Sequence, residues 1–289
     1  MKTDYQTKYF RLLFFALLLT VFSVHAQTTV PFEKRYENSG INGDLTIIGN
    51  AILGESADTP YNGDGQNNDI DMVFIDIDND SNTFNSSSAK FTTSNCNRVV
   101  YVGLYWGAVL SPDELEPTKI KFKIPGNSYL DIEADEQLDW IYYKDVTDIV
   151  TSNNSVSGDY YVANVSTSQG FNSSAGWSMV IVYEDPTESR KYISTFDGFS
   201  AVARSPNDVV DFSYSGFTTP PSGPVEGRVG IVALEGDQTR LGDQLLFKAD
   251  GNAGFTALYD NENEVDTFFN GKITKDGSQV MDRNINSTH

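Results

Sequence analysis

The sequence predicts an all-β protein built as an antiparallel, jelly-roll-like β-sandwich. Beyond residue 44, short apolar runs are separated by Gly, Asn, Asp, Ser and Pro, and almost no stretch has apolar residues at helical spacing over three turns. Residues 99–106 and 177–183 are apolar on both faces of a strand, which indicates the centre of a covered sheet. Asn270-Gly271 and Asp276-Gly277 supply the left-handed conformations that tight hairpins need.

The individual elements follow from the same patterns. Residues 120–124 alternate Ile or Phe with Lys, so we expect their lysines to face water. Residues 145–150 are the one helical segment, a single turn that Asp145 could cap. The candidate strands are residues 45–53, 72–77, 99–109, 120–124, 160–165, 177–183, 192–196, 209–214, 229–234, 245–248 and 267–273.

The chain begins with the features of a secretory signal peptide. Basic residues precede an apolar stretch from 12 to 24, and small residues follow, so we expect cleavage after Ala26 and export. The apolar stretch is too short to cross a bilayer, and no second long apolar run follows. Residues 27–43 would then be an N-terminal extended segment and residues 44–289 a single sandwich domain, with a proline-rich sub-boundary near 218–227 as the alternative.

Composition excludes several function classes. The 40 acidic residues outnumber the 20 basic ones, and a net charge of -20 opposes binding to nucleic acid and anionic lipid surfaces. The two histidines are His25, in the leader, and His289, the last residue, so Ser-His-Asp and Cys-His catalytic pairs are not expected. Cys96 is the single cysteine, which excludes an internal disulfide.

Two stretches resemble a known family. The first contains residues 84–89 (FNSSSA) and leads to 99–107 (VVYVGLYWG); the second runs from 174–177 (SAGW) through Asp185-Pro186 to 194–199 (STFDGF). Together they resemble the N-terminal module of large secreted surface proteins, many from gliding Bacteroidota, which often continue into immunoglobulin-like repeats and a type IX secretion sorting domain. The resemblance implies an adhesin-like or gliding-associated role without a known activity. This chain lacks those downstream parts, so we expect it to be the front module of a longer protein or a short variant.

Acidic residues suggest one cation site. Asp76, Asp78 and Asp80 stand at alternate positions before a turn, where three like charges repel unless they are solvated or share a cation. The spacing is that of the start of an EF-hand loop, but Ser81 and Ser87 replace its required Gly and Glu. The remaining alternatives are a looser structural calcium site and a solvated turn.

Aromatic and acidic residues suggest two further possibilities. Trp106 and Trp177 are expected in the core, whereas Trp140 with Tyr142 is the better candidate for a sugar-binding platform. Residues 131–136 carry four carboxylates, the raw material of a β-sandwich glycoside hydrolase, but their order does not match those enzymes.

We therefore expect a secreted or cell-surface, non-catalytic, adhesin-like module that binds through loops 54–70 and 78–88. A carbohydrate-binding module is the alternative, and a calcium-dependent glycoside hydrolase is the more remote one. The expected partners are a surface glycan, a protein ligand or neighbouring domains of a longer chain, with no nucleic acid and no transmembrane segment.

Overall fold

Two antiparallel sheets with a shared core carry the fold. The computed structural model describes residues 27–57, 68–94, 97–109, 117–202, 209–217, 222–223, 225–234 and 236–280. Its elements in chain order are β1 (Gln27–Ala51), β2 (Leu53–Gly54), β3 (Val73–Phe74), β4 (Ser86–Phe91), β5 (Arg98–Ala108), β6 (Lys119–Lys123), β7 (Leu130–Glu133), β8 (Glu136–Leu138), β9 (Ile141–Asp145), α1 (Thr147–Thr151), β10 (Gly158–Ala163), β11 (Ala175–Glu184), β12 (Arg190–Ala201), β13 (Leu245–Phe247), β14 (Thr256–Leu258), β15 (Thr274–Lys275) and β16 (Ser278–Gln279).

The larger sheet has the strand order β12-β1-β11-β5-β9-β8, and the smaller one has the order β4-β10-β6-β7. Every pairing of named strands is antiparallel, so the predicted fold class, an all-β antiparallel sandwich, is confirmed. The main core lies between the two sheets and includes Leu104 and Trp106 from the larger sheet and Phe122 and Tyr160 from the smaller one.

Strands β5 and β11 pair with each other inside the larger sheet, as their apolar runs predict. On β5, Val102, Leu104 and Trp106 face the shared core, and Tyr101 belongs to a second cluster on the opposite face of the sheet. Both faces of β5 are thus covered. The indole N–H of Trp106 donates to the Pro117 carbonyl oxygen at 2.9 Å, so this large ring is buried with its one donor satisfied.

Strand β6 shows the predicted alternation. Ile120 and Phe122 are buried against the larger sheet. Lys119 is exposed, and Lys121 and Lys123 are half-buried on the outer face. A row of cationic side chains therefore stands on the outer face of the smaller sheet.

Strand β1 belongs to two ladders in succession. Residues 43–51 pair with β11, and residues 27–42 pair with β12 alone. The β1–β12 ladder contains four register shifts, which bend and twist a two-stranded ribbon. The ribbon curls over the outer face of the larger sheet, and the segment 27–43, predicted to be extended, is its first strand.

A charged and aromatic cluster fastens the ribbon to the sheet below it. Arg35 on β1 is bonded through its Nε to Asp197 on β12 at 2.6 Å, and through a terminal guanidinium nitrogen to Glu136 on β8 at 2.7 Å. Its guanidinium carbon lies 4.2 Å from the ring centroid of Tyr143 on β9. The Tyr105 hydroxyl on β5 donates to Asp197 at 2.9 Å. Burial, and then the Asp197 charge, raise the pKa of Tyr105, which keeps this hydroxyl a donor.

The chain beyond β12 departs from the prediction in part. Residues 209–214 and 229–234 were predicted strands, but they form no ladder with another described strand. In residues 209–214 the aromatic side chains pack on the ribbon: Phe212 stacks on Phe32 with ring centroids 4.6 Å apart, and Tyr214 packs on Phe196 at 4.9 Å. Residues 267–273 are likewise not a strand, while 245–247 are one.

The predicted hairpin turn and the predicted helical turn agree better with the structure. Asp276 and Gly277 both have positive φ and join β15 to β16 in a tight hairpin, as predicted. The single helical turn, α1, starts two residues later than its predicted beginning. The Asp145 carboxylate accepts the Thr147 N–H at 2.9 Å, although the N-cap position itself is Val146.

We expect Arg35→Leu to destabilise the protein by about 3 kcal/mol, because Asp197, whose side chain is 9% exposed, would keep a charge without its partner. The matched control is Arg98→Leu, since Arg98 forms a bidentate pair with Glu184 but is 71% exposed. Its loss should cost less than about 1 kcal/mol. Urea unfolding of both variants checks this, and equal costs would contradict a special role for Arg35.

Gly49→Ala should also destabilise the fold, by about 1–3 kcal/mol. A Cβ at Gly49 would lie 2.3 Å from the Trp177 carbonyl oxygen, a backbone atom of β11 that cannot turn aside. Gly227→Ala is the control, since no atom of the described residues lies within 4 Å of its Cβ position. There we expect no loss, or a gain of about 0.4–1 kcal/mol from the stiffer unfolded chain. Thermal melts compare the two; a stable Gly49→Ala protein would show that β1 and β11 can separate locally.

Candidate binding site

The loop that carries Asp76, Asp78 and Asp80, called the acidic loop below, runs beside β4, the edge strand of the smaller sheet. Asp76 forms an isolated parallel bridge with Ser86 at the start of β4. The Ser86 hydroxyl donates to the Asp76 carboxylate at 2.9 Å and accepts the backbone N–H groups of Ile77 and Asp78 at 3.0 and 3.2 Å. One serine thus fixes the path of three loop residues.

The Asp78 carboxylate accepts hydrogen bonds at both of its oxygens. One carboxylate oxygen accepts the Thr83 hydroxyl and the Asp80 N–H, both at 3.0 Å. The other accepts the hydroxyl of Tyr129, which comes from the turn between β6 and β7. The loop is therefore tied to a turn on the far side of the smaller sheet.

The pKa values of Asp76 and Asp78 are shifted in opposite directions. Burial raises the pKa of Asp76; the Ser86 hydrogen bond opposes this, and the nearby Asp78 and Asp80 charges add to the rise. Burial alone would also raise the pKa of Asp78, but the hydrogen bonds from Tyr129, the Asp80 N–H, Thr83 and Ser86 outweigh it and lower that pKa.

The calcium site predicted at Asp76, Asp78 and Asp80 stays a prediction. Within the described ranges, no three acidic, His or Cys side chains are grouped so that they could hold a metal ion. The carboxylates are engaged by the protein instead: Asp76 by Ser86, Asp78 by Tyr129, and Asp80 by both the backbone and side-chain N–H of Asn82 at 3.0 and 2.8 Å.

A shallow polar depression lies between the loop and the outer face of the smaller sheet. Its volume is about 360 Å³. Three parts of the chain meet there: the acidic loop, strand β6 and the turn that follows β6. The lining residues are Asp80, Asn82, Lys121, Lys123, Asn127, Ser128 and Tyr129.

Two lysines in the depression have different surroundings. Lys121 is paired with Asp131 on the neighbouring strand β7 at 2.7 Å. The Lys123 ammonium lies over two tyrosine rings, 4.5 Å from the centroid of Tyr161 on β10 and 5.3 Å from that of Tyr129. Ring contacts of this kind attract the ammonium and hold it in place without consuming its charge.

The predicted aromatic platform is not one surface. Trp140, at the turn between β8 and β9, is 57% exposed, and its ring centroid lies 6.2 Å from that of Phe199 on the ribbon. Tyr142 is 5% exposed and packs on Trp106 in the core. Trp140 lies in the turn before β9 and not in the strand, so it is exposed although Tyr142 is buried, and any exposed platform here would consist of Trp140 and Phe199.

The carboxylates of residues 131–136 are divided between the two sheets. Asp131 and Glu133 belong to β7 of the smaller sheet, and Glu136 belongs to β8 of the larger sheet, where it pairs with Arg35. Asp135 is paired with Lys144 at 2.8 Å. Asp131, Asp135 and Glu136 are therefore each paired with a cation, and the segment is the crossing from one sheet to the other.

Sequence reasoning placed loop 78–88 at a binding surface but missed the rest of the depression. The alternation of β6 predicted that Lys121 and Lys123 face water, which was the available signal. The contact of Tyr129 and Tyr161 with Lys123 had no such signal, because no local sequence pattern shows that residues so far apart in the chain meet at one lysine. Most of loop 54–70, and also Cys96, His25, His289 and the leader 1–26, lie outside the described residues.

Asp76→Asn and Asp78→Asn should shift stability in opposite directions at pH 7. Asp78 stabilises the fold above the ordinary aspartate pKa of about 3.9, and this is lost as pH falls through its lowered value. Asp78→Asn should therefore melt lower at pH 7 and approach wild type at low pH. Asp76→Asn should melt higher at pH 7, an advantage that disappears as pH falls through the raised pKa of Asp76. Melting curves from pH 7 to pH 3 test both; shifts of the same sign would contradict the assignment.

We compared the chain with models of protein families, with curated proteins and with solved structures, and none matches it. In the part of the chain that the structure describes, no helix is long and apolar enough to cross a membrane.

Proposed function

We propose that the protein is an exported, non-catalytic, adhesin-like β-sandwich module that binds an external ligand in the depression beside the acidic loop. The observation that carries the proposal is the position of Lys123, whose ammonium is held between Tyr129 and Tyr161 at the floor of an open polar site. A rigid sheet supplies the floor and loops supply the rim, which is the usual arrangement of binding sites on β scaffolds.

The chemistry of the depression favours binding over catalysis. Glycoside hydrolysis by the common mechanism needs two carboxyl groups on opposite sides of the scissile bond. Among the described residues that line the depression, Asp80 is the one carboxylate, and the other groups are ammonium, amide and hydroxyl groups and a phenol. Such groups can hold a ligand by hydrogen bonds without changing it.

Export and surface location rest on the leader 1–26 and on the family resemblance. The net charge of -20 disfavours nucleic acid and anionic membranes as ligands. Neighbouring domains of a longer chain would present the module to the outside, and its ligand would be a surface glycan or protein.

The test uses the chain from residue 27 and beads coated with galactomannan, laminarin, alginate, collagen or fibrinogen. Ser128→Trp should fill the depression and reduce binding of the recognised coating at least about tenfold, since a bulky ring excludes any ligand from the site. Ser189→Trp, in the exposed turn between β11 and β12, should bind like wild type.

Trp140→Ala separates the two candidate surfaces. Binding that survives Ser128→Trp and is lost in Trp140→Ala would move the site to the Trp140–Phe199 surface and contradict the depression. Binding to no coating at all would contradict the adhesin-like function itself.

A further inference from the structure

We infer that the depression selects a neutral, hydroxyl-rich sugar residue of a polysaccharide; this rests on the proposed binding function and specifies its ligand. The first argument is the mixture of hydrogen-bonding groups. Lys123 offers three donors, Asp80 offers acceptors, and Asn82, Asn127 and Ser128 carry both kinds of group. Asn127 acts toward a ligand through its amide oxygen, because its amide nitrogen already donates to the Pro125 carbonyl and to Asn153. Sugar hydroxyls also donate and accept, so neighbouring hydroxyls on one ring can satisfy such a mixture, whereas a ligand of acceptors alone cannot.

The charges around the depression argue against an acidic sugar. The Lys121 ammonium is already neutralised by Asp131 at 2.7 Å. Asp80 lies on the rim, and Asp78, whose pKa is lowered, carries its negative charge behind Tyr129. With a net charge of -20, the whole protein also repels polyanions. The ammonium of Lys123 is thus a hydrogen-bond donor in surroundings that are negative overall.

The size and polarity of the depression restrict the class of ligand further. A volume of about 360 Å³ is at the low end of small-molecule sites, which suits one or two sugar rings. The lining is polar, and the depression is open to solvent, so an acyl chain or an apolar side chain would gain little by entering it. Because Tyr129 and Tyr161 fix the Lys123 ammonium in advance, less ordering is needed when the ligand binds.

The experiment is affinity electrophoresis of the chain from residue 27 in gels that contain galactomannan, xylan, laminarin, alginate or polygalacturonate. We expect at least one of the three neutral polysaccharides to retard the protein. Retardation should change little between low salt and 0.5 M NaCl, on the order of twofold at most, because no net charge is paired on binding.

Lys123→Ala should weaken that interaction at least about tenfold, since hydrogen bonds from a charged donor are the strong ones. Asp80→Asn should weaken it in the same direction while keeping the shape of the rim. Lys90→Ala is the matched control: Lys90 is an exposed lysine on β4 of the same sheet, outside the depression, and its variant should migrate like wild type.

Other outcomes overturn the inference in distinguishable ways. Retardation only by alginate or polygalacturonate, abolished by 0.5 M NaCl, would show an anionic ligand. If no polysaccharide retards the protein but collagen or fibrinogen binds and Ser128→Trp blocks that binding, the inference of a sugar ligand is overturned and the proposed function stands. Equal retardation of wild type, Lys123→Ala and Ser128→Trp would place sugar binding elsewhere, and binding to no probe would overturn both proposals.

Discussion

One ion pair, between Arg35 and Asp197, joins the two strands of the β1–β12 ribbon, and the further contacts of its two partners with β5, β8 and β9 hold the ribbon on the larger sheet. Without it, the ribbon would keep its own ladder and apolar contacts with the sheet such as the Tyr36–Tyr101 stack, but Asp197 and Glu136 would lose their cation. The pair is strong because it is not isolated: Glu136, Tyr105 and the ring of Tyr143 satisfy the remaining groups of both partners. A polar cluster thus does on this face what the apolar core does on the other, and it specifies one position for the ribbon where apolar packing alone would allow sliding.

The same principle recurs at the smaller sheet. Asp78 accepts a hydrogen bond from Tyr129, and this contact joins a loop near β4 to a turn after β6. The inner side of the sheet between them packs on the shared apolar core, so polar contacts set the shape of its outer side. The depression exists because the loop and the turn are held at a fixed separation, with Lys123 between them. The depression and the fold are therefore held by one network, and the acidic residues connect its parts.

The sequence was most informative where side chains repeat a pattern over a whole strand. The two-sided apolar runs of β5 and β11 and the alternation of β6 predicted which strands are central and which face is wet. It was least informative for β4, which begins with three serines, and for residues 27–42, whose mixed polar residues give no period. Those segments are strands because of partners distant in the chain. Residues 209–214 show the opposite error: they have the alternation of a strand, but their rings pack on the ribbon while no described strand pairs with them.

The continuity of β1 also bears on how the module would carry a load. Near Asn42 the strand passes from one ladder to the next without a break, so its first part is hydrogen-bonded to β12 and its second part to β11. Tension along β1 would act on the hydrogen bonds of both ladders together, in shear, whereas tension across the ribbon would open its pairs one after another. A protein with this arrangement would resist being pulled along one axis and yield along another, so its mechanical strength would depend on the direction of the force.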